Sequence, residues 1–309
     1  MNKVLNLVKK MLSLNTINYD EPVFRPPREA DSLIIQATIG CSRNTCAFCV
    51  MYKHKKFRVR ALNEICSEIK TLPPGIKNDT LKIFLADGNA FCAETEFLLG
   101  LCSYLRGQFP ALRVISAYAN PYDILEKSSD ELTALRNAGI KNLYIGLESG
   151  SDKVLALVRK KGNYLDYRAA LQKADNAGFS LSVTILLGVG GRTLSAEHAQ
   201  KSAGLINETA PKFVNTLTTT LYEGAAINEL LKKGDFELLT NGELFSEHYN
   251  FIENISADKI IYRSNHISNV FNIEGVLQKD KQRILDGIKQ FSACNRGILN
   301  KKYYQKLEL

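Results

Sequence analysis

An α/β fold, a partial (β/α)6 TIM-like barrel, is predicted by three features of the 309-residue sequence. Short apolar runs alternate with segments of helical periodicity about six times, the pattern of a parallel sheet with right-handed crossovers. Glycine follows alanine at Ala138-Gly139 and Ala177-Gly178, where it supplies a left-handed helix cap before the next strand. The strand ends read TIGC, LADGN, SAYANP, GLESG, LLGVGG and TTTLYEG. Polar, glycine-bearing endings on one rim are where barrels and open α/β sheets place their sites.

The expected strands are Leu33–Ile39, Leu81–Ala86, Leu112–Ala117, Asn142–Leu147, Leu181–Leu187 and Phe213–Thr219. Helical periodicity covers Leu62–Leu72, Glu94–Phe109, Ser129–Ala138, Tyr164–Ala177 and Ala196–Glu208. These runs divide the chain into a short N-terminal extension (1–30), a core barrel (31–224) and a C-terminal segment (225–309). The last segment reads as mainly helical and packed on the barrel. It holds one polar loop, Tyr262-Arg263-Ser264-Asn265-His266.

Hydrophobic residues make up 45% of the chain and charged residues 23%, enough apolar material for a core without disulfide staples. The 40 Lys+Arg against 32 Asp+Glu give a formal net charge of +8, which favours anionic partners. Leu5, Val8, Leu12 and Leu14 sit near helical spacing and suggest an amphipathic surface helix. That N-terminus lacks the apolar core and cleavage site of a signal peptide, and no run approaches transmembrane length, so a cytoplasmic protein is expected. In a reducing compartment its seven cysteines call for an explanation other than disulfides.

Three of them crowd into Cys41-Ser42-Arg43-Asn44-Thr45-Cys46-Ala47-Phe48-Cys49, directly after the first strand. Three thiolates on one loop form a soft-ligand set suited to zinc or to iron–sulfur. Structural zinc wants a fourth ligand, for which His54 is the local candidate. A four-iron cluster with three protein ligands instead keeps one iron open. Cys66, Cys92, Cys102 and Cys294 show no second paired spacing and read as small buried hydrophobes.

The C-x4-C-x2-C run, with Phe48 before the last cysteine, resembles the radical S-adenosylmethionine (SAM) superfamily. The usual signature there is C-x3-C-x2-C, one residue shorter in the first gap. The context from Ala37 to Lys53 is similar to a group related to coproporphyrinogen dehydrogenase, the elongator-type catalytic subunit and the methylthiotransferases. The resemblance runs roughly from Gln36 to Asn269. It implies a [4Fe-4S] cluster on Cys41, Cys46 and Cys49, with SAM as the second cofactor.

The resemblance also assigns the other rim motifs. Asp87, Gly88 and Asn89 stand where the superfamily has a Gly-Gly-Glu type motif that binds the SAM ammonium; an ordinary strand-to-helix turn has the same composition. Glu148, in Gly146-Leu147-Glu148-Ser149-Gly150, stands near the SAM ribose, unless it only caps the next helix. Gly188, in the Leu187-Gly188-Val189-Gly190-Gly191 turn, lets adenine approach the backbone, and Thr184 faces inward beside it. Arg159, Lys160, Lys161, Arg168 and Lys173 are the candidate partners of the SAM carboxylate.

The implied activity is reductive cleavage of SAM to methionine and a 5′-deoxyadenosyl radical, which abstracts hydrogen from a substrate. An external electron donor of flavodoxin or ferredoxin type is then required. The basic balance and the methylthiotransferase likeness leave RNA modification as an alternative. The sequence shows no second cysteine triad and no arginine-rich stripe, so a small-molecule substrate is expected. A non-catalytic iron–sulfur or zinc protein is the other alternative.

Overall fold

A computed structural model describes residues 17–302, so the amphipathic helix expected over Leu5, Val8, Leu12 and Leu14 lies outside the described residues. Among the described residues ten strands form: β1 (Leu33–Gln36), β2 (Thr38–Ile39), β3 (Arg58–Val59), β4 (Lys82–Ala86), β5 (Val114–Ala119), β6 (Ile140–Glu148), β7 (Ser180–Leu187), β8 (Phe213–Thr218), β9 (Ile260–Ser264) and β10 (Ile273–Leu277). Eight of these make one sheet in the order β1-β4-β5-β6-β7-β8-β9-β10, and β2 and β3 form a separate ribbon. β1–β4, β4–β5, β7–β8 and β8–β9 are parallel, while β9–β10 is antiparallel. Strands adjacent in sequence are thus adjacent in space, as helical crossovers demand. No helix among the described residues is long and apolar enough to cross a membrane.

Two expectations need correction. The first strand, expected as one run to Ile39, divides at Ala37, whose N–H donates to Ala86 O and whose carbonyl accepts from Arg60 N. Thr38 and Ile39 then pair with Val59 and Arg58. The C-terminal segment is mainly helical as expected, but the polar loop expected over Tyr262–His266 is in part strand, because β9 and β10 continue the sheet. Ile260, Tyr262 and Ser264 are buried in alternation with half-exposed Ile261 and Arg263, a period-two pattern easily hidden in a short run. Tyr262, Arg263 and Ser264 are therefore strand, and only Asn265 and His266 lie in the turn beyond it.

The chain falls into two compact units. The first comprises residues 17–42, 52–144 and 176–179 of the described chain. Its core includes fully buried Ile83, Phe84 and Leu85 on β4. Phe84 meets Tyr118 edge-to-face at 4.9 Å and Tyr144 at 6.0 Å. Burying such a side chain contributes about 1.5–3 kcal/mol. The Tyr144 hydroxyl donates to buried Glu29 at 2.6 Å, so neither polar group is stranded. The second unit comprises residues 43–51, 145–175 and 180–302. Its helix Gly191–Thr209 buries Ala199, Ala203, Leu205 and Ile206, and Asn241–Glu253 buries Phe251 and Ile252.

The helix Ser129–Ala138 shows why its ends fall where they do. Ser128 accepts from Glu131 N at 3.1 Å while Glu131 accepts from Ser128 N at 2.7 Å, a reciprocal N-terminal cap. Gly139 closes the other end at φ +115°. Gly139→Ala forces a side chain into that conformation, and we expect a loss of about 1–2 kcal/mol with unchanged bound iron. Denaturant midpoints, with iron analysis as the control, measure this.

Candidate active site

The cysteine loop is held by backbone bonds on its later half and by close packing on its earlier end. In the first unit, Cys41 packs against Gly88. A Cβ on Gly88 would stand 2.9 Å from the Cys41 Cβ and 2.5 Å from the Tyr52 ring, so only glycine fits. In the second unit, Ala47 N donates to Val158 O at 2.8 Å and Ala47 O accepts from Ile227 N at 2.9 Å. Phe48 and Val50 pack on a buried apolar cluster that includes Ala47, Val154, Val158 and Val189. This anchors Cys46 and Cys49, and Cys49 N donates to Cys46 O at 3.3 Å.

Cys41, Cys46 and Cys49 are all free and half-buried. Among the described residues no group of three His, Cys, Asp or Glu is already gathered for a metal ion. Thiolates are drawn together by the metal group they bind, because binding and the final local folding are coupled. Cys92, set aside on sequence as remote, lies within the electrostatic reach of Cys41; its thiol is pushed up to about 11, chiefly by burial. A protonated thiol is a poor iron ligand.

At the end of β4, Asp87 is fully buried. Its Oδ2 accepts from Lys55 Nζ at 2.9 Å, Gly40 N at 3.0 Å and Gln36 Nε2 at 3.3 Å. Burial pushes its pKa up from the ordinary carboxylate value, and the Lys55 and Gly40 hydrogen bonds pull against that. Its Oδ1 has no hydrogen-bond partner. Asn89, also fully buried, donates to Ser42 Oγ at 2.7 Å, and its Oδ1 is likewise unpartnered. Two buried acceptors without donors in one Asp-Gly-Asn turn suit a cationic amine, the group expected there.

At the end of β6, Glu148 takes the left-handed region, at φ +64°. A residue other than glycine adopts this conformation only where its surroundings impose it. Glu148 Oε1 lies 3.3 Å from Lys160 Nζ, with both side chains about nine-tenths buried. The carboxylate folds back over Gly146, where a Cβ would come within 2.2 Å of Oε1. Of the five candidate cations, Lys160 is the one paired with Glu148. Arg168 instead pairs with Glu208 on an exposed face. Thr184 is half-buried on β7, and Ser182 beside it accepts from Asn215 at 3.0 Å.

Residues that sequence reading missed organise the ends of β6 and β7. Glu247 is completely buried, and its carboxylate accepts from Gly188 N at 2.6 Å and Ser195 Oγ at 2.5 Å. His198 Nδ1 lies 2.8 Å from Ser149 Oγ and 3.4 Å from Ser202 Oγ. Ser149 Oγ accepts from Ser151 N and Ser202 Oγ accepts from Gly150 N. His198 Nδ1 thus has two hydroxyl partners, while Nε2 is buried without a hydrogen-bond partner and faces Glu247 Oε1 at 3.8 Å. Burial holds His198 neutral, with its pKa lowered to about 4. The signal was present in the i, i+3, i+7 spacing of Ser195, His198 and Ser202 on one helix face. The polar run at the end of β8 satisfies itself: Thr218 bonds Asn269 at 3.0 Å, and His266 bonds Ser268 at 2.8 Å.

Burial pushes the Glu247 pKa up to about 7. An acid protonated more readily when folded contributes stability at low pH that is lost as pH rises from its unfolded value toward about 7. Glu247→Gln removes that loss. The difference in thermal midpoint, variant minus wild type, should therefore grow from pH 4.5 to 7.5 and level off above; a flat difference refutes the assignment.

Comparison with known proteins shows the family. The model of the radical SAM superfamily matches residues 35–203, more than half of the chain. A tRNA-2-methylthio-N(6)-dimethylallyladenosine synthase of Dehalococcoides mccartyi is 27% identical over 188 residues, covering 59% of this chain and 43% of that protein. The synthase of Coxiella burnetii is 26% identical over 181 residues, covering 55% of this chain and 40% of that protein. The chain thus spans less than half the length of these relatives. Among solved structures, the cobalamin-dependent SAM radical enzyme OxsB aligns with TM-score 0.56 at 13% identity, over 86% of this chain and 42% of that one. Elp3 of the archaeon Methanocaldococcus infernus aligns with TM-score 0.50 at 16% identity, over 75% of this chain and 58% of that one. These structural likenesses show the fold alone; the superfamily whose model matches uses a [4Fe-4S] cluster and SAM. The chain belongs to the radical SAM superfamily and is an enzyme of that class.

Proposed function

We propose that this enzyme cleaves SAM reductively at a [4Fe-4S] cluster held by Cys41, Cys46 and Cys49 and acts on a small-molecule substrate. The observation that carries the SAM site is the pair of buried, donorless oxygens, Asp87 Oδ1 and Asn89 Oδ1, in the turn beside Cys41. When bound, the cluster supplies the electron that splits SAM into methionine and the 5′-deoxyadenosyl radical that takes hydrogen from the substrate. The residues of the chain orient the reactants. Asp87 and Asn89 receive the ammonium, Glu148 accepts the ribose hydroxyls, and Lys160 meets the carboxylate. Gly188 leaves room for adenine, while its amide is held back by Glu247. Thr184 and Phe48 are the remaining residues of the chain that this reading assigns to SAM binding.

Radical SAM enzymes need an electron donor, and a flavodoxin or ferredoxin type fits a cytoplasmic setting in which thiols stay reduced. A second reading, RNA modification, is favoured by the tRNA-modifying names of the curated relatives and by the net charge of +8. The chain shares 43% of that relative's length.

Anaerobically reconstituted protein given dithionite and SAM should release 5′-deoxyadenosine, and replacing Cys41, Cys46 or Cys49 should abolish it. Replacing Cys66, Cys92, Cys102 and Cys294 together should leave iron content intact. An intact, reducible cluster that never cleaves SAM would sink the reading.

Glu148→Ala should retain the cluster and bind SAM about ten- to a hundredfold more weakly, the worth of a hydrogen bond to a charged group. Equilibrium dialysis measures this, and unchanged affinity reassigns Glu148 to loop structure. Unfractionated tRNA that stimulates SAM cleavage, and gains a mass change, would favour the second reading.

A further inference from the structure

We propose that Lys55 is a positioning residue: by saturating one oxygen of Asp87 it fixes the other toward the amine of bound SAM. The inference rests on the SAM reading above. Lys55 comes from the chain just after the cysteine loop, and its side chain is 1% exposed. An ammonium has three donors. Here all three have acceptors: the carbonyl of Asp20, the carbonyl of Pro22 at 2.9 Å, and Asp87 Oδ2 at 2.9 Å.

The acceptor side is lopsided. Asp87 Oδ2 collects Lys55, Gly40 N and Gln36 Nε2, and Oδ1 collects nothing. In water the two oxygens of a carboxylate are equivalent; here three donors distinguish them. Turning the carboxylate about Cβ–Cγ would break three hydrogen bonds and leave the buried ammonium with only the half-exposed Asp20 carboxylate, 3.6 Å away, as counter-charge. The direction of Oδ1 is therefore set by these three donors, of which Lys55 is the charged one.

The same lysine recruits the N-terminal lead-in. Gln36 accepts from Asp20 N at 2.9 Å and donates to Asp20 O at 3.0 Å, so one of the two carbonyls that grip Lys55 is itself tied to β1. Tyr52 lies under the ammonium at 5.7 Å and takes the edge of Phe24 at 5.7 Å. Tyr52 is also the ring against Gly88. The lead-in, the return from the cysteine loop and the turn after β4 thus meet at one charge.

The test uses reconstituted wild type, Lys55→Met, Asp87→Asn and the double variant. SAM and 5′-methylthioadenosine, which lacks the amino-acid part, are the probes in anaerobic equilibrium dialysis, with iron content and thermal midpoint read alongside. Lys55→Met should keep its iron, bind SAM about tenfold or more weakly, and bind methylthioadenosine within about twofold of wild type. The double variant removes both charges and should recover thermal stability, yet bind SAM no more weakly than Asp87→Asn alone. Equal losses for both probes, or losses that add in the double variant, would overturn the role of Lys55. Should Lys55→Met fail to fold, Asp87→Asn against the double variant decides, since a further loss in the double variant refutes action through Asp87. Wild type with a full cluster and no affinity for SAM would overturn the SAM reading itself, and this inference with it.

Discussion

A buried charge has to be answered, and in the first unit the Asp87 carboxylate is answered by Lys55, Gly40 and Gln36 at a single oxygen. Breaking such a pair by removing one partner typically costs about 3–5 kcal/mol, because the other charge stays buried. Replacing both partners by apolar groups is often neutral, so the pair is poor evidence of stability for its own sake. Its value lies in direction. Gly40 immediately precedes Cys41, and Gly88 immediately follows Asp87, so the contact defines where a proposed cluster ligand begins and where the turn beside it runs.

The second unit solves a similar problem without a lysine. Glu247 has only neutral donors, the Gly188 amide and the Ser195 hydroxyl, with the neutral His198 ring beyond hydrogen-bond range. Hence its pKa rises, where Asp87 has a strong cation to resist the rise. The turn after β6 and the turn after β7 are each bonded to a side chain on the Gly191–Thr209 or Asn241–Glu253 helix. Both turns carry residues assigned here to SAM, Glu148 and Gly188. Their glycine-rich composition gives room, and the helices behind them supply rigidity that glycine lacks.

The end of β8 is organised less by charge than by hydrogen bonds among neutral polar groups. Thr218, Asn269, Ser268 and His266 bond one another and the backbone, which turns a polar run into a wall.

The strands and helices were legible because local periodicity and glycine caps are local physics: Ser129–Ala138 was expected and observed with the same ends. The cysteine loop was legible for a related reason, since ligand spacing along a loop is a property of the chain itself. β9 was not, because Ile260–Ser264 is short and earns its identity only by pairing with β8 and β10. Lys55, His198 and Glu247 were not, because a buried charge is recognised by its partners, which lie 32 to 59 residues away in sequence. Asp87 shows the division most clearly. Its residue type and its place after a strand marked it as an acceptor from sequence, whereas only tertiary structure decided which of its two oxygens was left to accept.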